Sequence, residues 1–273
     1  MIGIGIISWN RPEYFSQLVK SLEKNDLQET EFHLFQDGAC CKFTGERFAK
    51  ETDILRNVEI FKQAQFPKKY FHVRSENASV AINQFEAMQF LYNNYEKFIF
   101  LEDDIIVSPN FIVIMKKLLD QFEKDDEIAC ISPGFRLFCK EPEVKKNLDK
   151  LKIINGHFWA EACWAKKWQE VEREYMKYYN LVKKEPYRKR KHGLINKLFS
   201  DSGYPMPATS QDNGKDWAIR MAKMKRARLV VNRATGIGDY GIHSTPEKLA
   251  KGLDGHRKIF DFKQELKIKR FKL

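Results

Sequence analysis

Glu102, Asp103 and Asp104 stand in a row between two apolar runs, Phe98 to Leu101 before them and Ile105 to Val107 after them. Carboxylates flanked by segments that favour burial are costly unless positive charge meets them. A divalent cation does this well, because Mg²⁺ and Mn²⁺ prefer oxygen ligands and can bridge one or two carboxylates to phosphates. The alternative is an exposed acidic turn. A second pair of acids, Asp212 and Asp216, lies in QDNGKDWAIRM. Asp216 precedes Trp217 at an expected helix start. A carboxylate there either caps the helix or accepts the proton of an attacking hydroxyl as a general base. Asp212 is the second candidate for the base. His243, in GIGDYGIHS, is either a structural histidine or a second metal ligand or phosphate donor. The chain has neither a G-x-x-x-x-G-K-[ST] loop nor a G-x-G-x-x-G fingerprint. A diphosphate would therefore be held through metal rather than by a glycine-rich helix N-terminus.

The elements that must position these residues follow from periodicity. Gly3 to Ser8 predicts a buried strand. Trp9-Asn10-Arg11-Pro12 stops it, and Pro12 suits the first turn of a helix with Tyr14, Phe15, Leu18, Val19 and Leu22 on its apolar face. Glu31 to Phe35 predicts a second strand, ending at Gln36-Asp37-Gly38. Further on the pattern predicts a helix over Cys40 to Ile54, a strand over Val58 to Phe61, a helix over Asn77 to Tyr95 and a strand over Phe98 to Leu101. A helix from Pro109 through Phe122 and a strand from Ile128 to Pro133 follow. Strand and helix alternate, which predicts a βαβ architecture with a largely parallel sheet. Ligands of such sheets bind beyond the carboxyl ends of the strands. Trp9-Asn10-Arg11, Asp37 and the acidic row would therefore converge on one crevice. Beyond residue 135 the pattern is less regular. It predicts a helix over Trp159 to Tyr179, a basic stretch from Lys183 to Lys197 and a loop from Ser200 to Gly214. A helix over Asp216 to Arg226, a strand over Leu229 to Asn232 and a Gly-containing loop from Thr235 to Ser244 come next.

Composition narrows the classes. With 273 residues the chain can form one large domain or two small ones without staples. No apolar run approaches the ~20 residues of a membrane span, and Met1 leads into a strand without a basic leader. The expectation is a cytoplasmic protein. Its five cysteines, Cys40, Cys41, Cys130, Cys139 and Cys163, make no zinc spacing and read as reduced thiols, with Cys163 in the core. The net charge of +11 admits a lysine-rich surface, nucleic acid, an anionic membrane or a phosphorylated substrate. The tail from Phe260, with Phe, Leu and Ile set among Lys and Arg, reads either as a segment closing on the domain or as a peripheral contact with an anionic membrane.

Three segments carry a family resemblance. GIGIISWNRPEYFSQLVKSL resembles the first strand and helix of nucleotide-sugar transferases, and FQDG the strand end that contacts the base. NASVAINQFEAMQFLYNNYEKFIFLEDDIIVSPNFI resembles their metal-motif region. From Gly3 to Ser244 the chain resembles a glycosyltransferase of the GT-A fold, nearest to the N-acetylglucosaminyltransferase I group, with a composition that looks bacterial. The resemblance implies an α/β fold with a mostly parallel sheet flanked by helices and an irregular acceptor-side C-terminal half. It implies one domain over 1–257, with a nucleotide-sugar half at 1–133 and an acceptor half at 134–257, and a basic amphipathic tail at 258–273. Position by position, Asp104 and His243 would bind Mn²⁺ or Mg²⁺. Ser8, Trp9, Asn10, Arg11 and Asp37 would hold the uridine, and Glu102 and Asp103 the ribose or donor sugar. Asp216 would be the base. The acidic neighbour usual before that base is Lys215 here. The implied activity is metal-dependent, inverting transfer from a UDP-sugar, N-acetylglucosamine among the candidates, to a glycan hydroxyl in bacterial surface polysaccharide synthesis. The acceptor could be lipid-linked, with the protein peripheral to the inner membrane face. Two other classes compete. A sugar-phosphate nucleotidyltransferase would need a glycine-rich N-terminal loop. A nucleic-acid-binding module would need an RNP, KH or zinc pattern, and none is present, so no nucleic-acid partner is expected.

Overall fold

The computed structural model describes residues 1–134, 141–155, 159–204, 208–238 and 259–273. The chain opens with β1 (Ile2–Ser8), α1 (Pro12–Leu22), β2 (Thr30–Gln36), α2 (Glu51–Gln63) and β3 (Lys69–Val73). Then come α3 (Val80–Asn94), β4 (Lys97–Glu102), β5 (Ile105–Val107), α4 (Phe111–Gln121) and β6 (Ile128–Ser132). The remainder is β7 (Leu151–Ile154), β8 (Ala160–Trp164), α5 (Ala165–Val182), α6 (His192–Asp201), α7 (Gln211–Met221), β9 (Lys225–Leu229) and β10 (Ala234–Gly236).

Eight strands form one sheet in the order β3-β2-β1-β4-β8-β6-β9-β7. The strands β3, β2, β1, β4, β6 and β9 run one way, while β8 and β7 run against them. β1 is paired in parallel on both sides and covered on both faces, so every one of its residues is buried. Its alternation serves two helices differently. Ile2, Ile4 and Ile6 enter the core shared with α1 and α4. Gly3 and Gly5 face α3, where a Cβ would lie 2.4 Å from the Tyr95 ring and 2.5 Å from Leu91 Cδ1. The missing side chains let α3 lie close on the sheet. α5, α6 and α7 share that second core with α3.

Several expectations are corrected. Cys40 to Ile54 does not form the second helix, which runs from Glu51 to Gln63 and takes in the expected strand Val58 to Phe61. Ile54, Asn57 and Phe61 are its buried positions, a spacing of three and four that a four-residue apolar window hides. The outer strand of this half is instead β3. Trp159 to Tyr179 divides into strand β8 and helix α5. The expected loop from Ser200 contains the end of α6 and the start of α7. α7 begins at Gln211, five residues before Asp216, because Ser210 caps it, its Oγ accepting from the Asn213 amide at 3.3 Å. The strand after it is Lys225–Leu229, earlier than Leu229 to Asn232.

The tail does not stand apart from the domain. Phe271 is buried, with its amide donating to Gln121 Oε1 at 2.7 Å, and Phe260, Phe262 and Ile268 pack on Val144, Leu148 and Val231. Glu265 meets Arg233 at 2.6 Å with both side chains fully buried. Most of the apolar side chains expected to face a lipid surface are taken up by this packing; Leu266 and Leu273 stay exposed. No helix among the described residues is long and apolar enough to cross a membrane.

On β2, beside the edge strand β3, His33 is buried with Nδ1 3.1 Å from His72 Nε2 and Nε2 2.6 Å from the Tyr95 hydroxyl. Burial, then the charge of His72, pushes its pKa down from 6.5 to about 4. Between about pH 4 and 6.5 it is neutral in the fold and charged in the unfolded chain. Its contribution is complete above pH 6.5 and is lost as the pH falls from there toward 4. A Tm titration should show that loss, and His33→Gln should flatten it.

Candidate active site

The acidic row, the end of β1 and the end of β2 lie at one level, since Ser8 pairs with Gln36 and Ile7 with Glu102. Parallel pairing of β1 with both neighbours carries these three chain segments to the same edge. There they turn outward together.

The three acids differ in environment. Asp103 turns inward. Its Oδ2 accepts from Ser8 Oγ at 3.3 Å and from the Trp9 amide at 3.2 Å, and its Oδ1 pairs with Arg11 Nη2. Burial raises its pKa, and Arg11 opposes that rise. Asp104 lies nearer the surface, with Oδ2 2.8 Å from Arg11 Nη1. Burial works against the charge of Arg11, yet Asp103, Asp104 and Glu102 together leave it more firmly protonated than an ordinary arginine. Glu102 is pushed well above the ordinary carboxylate range, first by burial and then by Asp212 and Asp104. The residues after β10 close on the row. β10 pairs antiparallel with β5, the Ile237 amide donates to the Asp104 carbonyl at 2.7 Å, and a Cβ on Gly238 would lie 2.3 Å from Asp104 Oδ2. Only a glycine lets the backbone come so near.

Asp37 is buried at the end of β2. Its Oδ1 accepts from the amides of Gly38 at 3.1 Å and Ala78 at 2.8 Å, and burial pushes its pKa up to about 6 against the pull of those bonds. Asn10 is half-buried in the turn after Trp9. Asn57 of α2 ties these segments together, its Nδ2 lying 2.9 Å from Ser8 Oγ, 2.8 Å from the Trp9 carbonyl and 3.1 Å from Gln36 Oε1. Reading Val58 to Phe61 as a strand hid this residue. A buried asparagine on the apolar face of a helix was the available signal.

α7 brings the second pair of acids from the other half of the sheet. Asp212, in its first turn, is buried and bears on Glu102. Asp216 sits one turn further along, where its Oδ2 accepts from the Tyr204 hydroxyl at 2.6 Å and lies 3.7 Å from Arg220 Nε. It borders a cavity of about 290 Å³ together with Arg220, Arg226 and the end of β7. The sequence placed Asp216 at the helix start; the structure gives the first turn to Asp212. His243 lies outside the described residues.

Between the acids, Lys215 Nζ meets Glu161 Oε1 at 2.6 Å with both side chains almost completely buried. Lys215→Met would strand the Glu161 charge and should cost about 3–5 kcal/mol. The melting temperature should drop accordingly, and adding Glu161→Gln should restore most of it. Among the described residues, one trio brings ligand atoms within 4.8 Å of one another, Cys130, Glu161 and Cys163. It makes a poor metal site, because Lys215 already meets Glu161 and burial pushes the Cys163 thiol up, toward its protonated form.

No family model and no curated protein matches the sequence. Solved structures do match. Staphylococcus aureus TarS superposes with a TM-score of 0.51 at 9% identity, over 86% of this chain and 36% of TarS. The fold is GT-A. TarS 1–349 in complex with UDP gives a TM-score of 0.49 at 11% identity, covering 86% of this chain and 60% of that one. The galactosyltransferase LgtC, in complex with donor and acceptor sugar analogues, gives 0.42 at 11% identity over 95% and 98%. The chain spans about a third of the full TarS structure, and at these identities the likeness is one of fold.

Proposed function

We propose that the chain is a divalent-metal-dependent glycosyltransferase that moves a sugar from a UDP-sugar to a glycan hydroxyl with inversion at the sugar carbon. One observation carries this reading: Asp37, the Ser8–Arg11 turn and the Glu102–Asp104 row meet at one level of the sheet, with Asp212 bearing on Glu102 from the opposite half. Residues 1–133 then serve the donor and 134–257 the acceptor. The resemblance to the N-acetylglucosaminyltransferase I group makes UDP-N-acetylglucosamine the first donor to test. Bacterial surface glycans, lipid-linked ones included, are the first acceptors.

The residues fit a metal. Asp104 offers a hard oxygen beside two further carboxylates, and the Arg11 cation already rests on it. Asp104 would hold Mn²⁺ or Mg²⁺, with His243 as the second proposed ligand. An ion bound there would neutralise the diphosphate and ease departure of UDP. The protein's own groups do the rest. Asp37 and the turn anchored by Asn57 orient the uridine. Asp103 fixes that turn against the acidic row. Glu102 hydrogen-bonds a sugar hydroxyl from behind the row. A carboxylate of α7 accepts the proton of the acceptor hydroxyl as the new carbon–oxygen bond forms. We assign this to Asp212, which has the first-turn placement, and keep Asp216 as the residue named by the resemblance.

Calorimetric titration of UDP with Mn²⁺ and with EDTA tests the reading, followed by a screen of UDP-sugars for metal-dependent hydrolysis. Saturable binding in Mn²⁺ that disappears in EDTA is expected. Binding indifferent to EDTA overturns the metal; absence of nucleotide binding in either overturns the function. An oligonucleotide titrated in parallel tests the nucleic-acid alternative.

A further inference from the structure

The oxygen best placed to hold a metal already has a cation on it. Arg11 forks between two carboxylates, Nη2 on Asp103 Oδ1 and Nη1 2.8 Å from Asp104 Oδ2. Gly238 closes on the far side of the pair, for a Cβ there would stand 2.3 Å from Asp104 Oδ2 and 3.3 Å from Arg11 Nη1. The Asp104 backbone is fixed by its bond from Ile237, and Asp103 by Ser8 and Trp9. The Asp103 carboxylate therefore has little freedom to swing away and Gly238 crowds that of Asp104, whereas Arg11 keeps 29% of its side chain exposed at the crevice mouth. A divalent ion and a guanidinium repel each other, and both would sit on the Asp104 carboxylate.

We infer that Arg11 is a counter-ion released by the nucleotide. In the free protein it offsets part of the charge of Asp103 and Asp104 and so disfavours a bare divalent ion. A diphosphate offers the planar guanidinium a second bidentate partner. Arg11 moves to it, Asp104 is freed, and metal and nucleotide enter as a pair. Coupling of this kind is reciprocal: whatever factor UDP adds to metal affinity, the metal adds to UDP affinity. The inference rests on the proposed donor site and adds to it an order of events and the residue that imposes it.

The test is Mn²⁺ binding followed by the electron paramagnetic resonance signal of the free ion, with and without UDP, on the full chain. Arg11→Gln removes the charge and Arg11→Lys keeps it but cannot fork. Without UDP, Mn²⁺ should bind Arg11→Gln tighter than the wild type by ~10-fold or more, the scale of one charge-assisted hydrogen bond. Arg11→Lys should fall between the two. If Arg11→Gln does not fold by circular dichroism, Arg11→Lys alone decides, and Mn²⁺ affinity equal to wild type overturns the inference. Unchanged Mn²⁺ affinity in a variant that still binds Mn²⁺ with UDP overturns the counter-ion role and leaves the donor site standing. Failure of the wild type to bind Mn²⁺ even with UDP removes both.

Discussion

Asp104→Ala is expected to reduce sugar transfer by ~10³-fold or more, the scale of several kcal/mol of charge stabilisation supplied through a metal. The loss should be one of binding as well as of turnover, because the same carboxylate would fix the ion that bridges to the diphosphate. In calorimetry, UDP with Mn²⁺ should bind the variant no better than UDP in EDTA binds the wild type. The fold should survive. Asp104 lies at the rim, and the segment that carries it is held by backbone pairing of β5 with β10 rather than by its side chain. A variant with wild-type turnover in Mn²⁺ would move the metal away from the acidic row altogether.

The second large effect separates the two acids of α7. Asp212→Asn should lower turnover by about 10²–10⁴, as expected for a lost general base, with UDP affinity nearly unchanged. Asp216→Asn keeps a group able to bond the Tyr204 hydroxyl, so its cost should fall mainly on stability. The reverse result, turnover lost at Asp216 and kept at Asp212, would return the base to the residue named by the resemblance. It would also place the acceptor nearer the cavity bounded by Arg220 and Arg226. Product stereochemistry by NMR checks the inversion on which both assignments depend.

The contrast between these two acids illustrates how far local sequence reaches. The acidic row was legible because an apolar strand ends abruptly in charge, and Asp37 because a second strand ends the same way. Both signals are contiguous in sequence. The start of α7 was misplaced because its capping serine sits in a stretch rich in Ser, Gly, Pro and Asn that reads as loop throughout. β8 was hidden for a different reason. Its residues AEACW include a glutamate, which counts against a buried strand until Lys215, on another element, meets it. Arg11 likewise reads as part of a turn, and its pairing with Asp103 and Asp104 spans more than ninety residues. Pairings of that range are properties of the folded sheet, and a short window cannot contain them.

The docking of residues 260–272 bears on synthesis as well as on structure. Arg233 stands next to β10, the strand whose following residues close on Asp104, and its fully buried counter-charge is Glu265. Phe271 completes the packing along α4 through Gln121. A chain without that segment lacks the carboxylate that meets the Arg233 guanidinium, and leaves it the carbonyls of Val231 and Leu148. The wall beside the acidic row therefore completes its packing only with residues 260–272 in place. Prematurely stopped chains would carry every residue of the acidic row and still lack a firm wall for it.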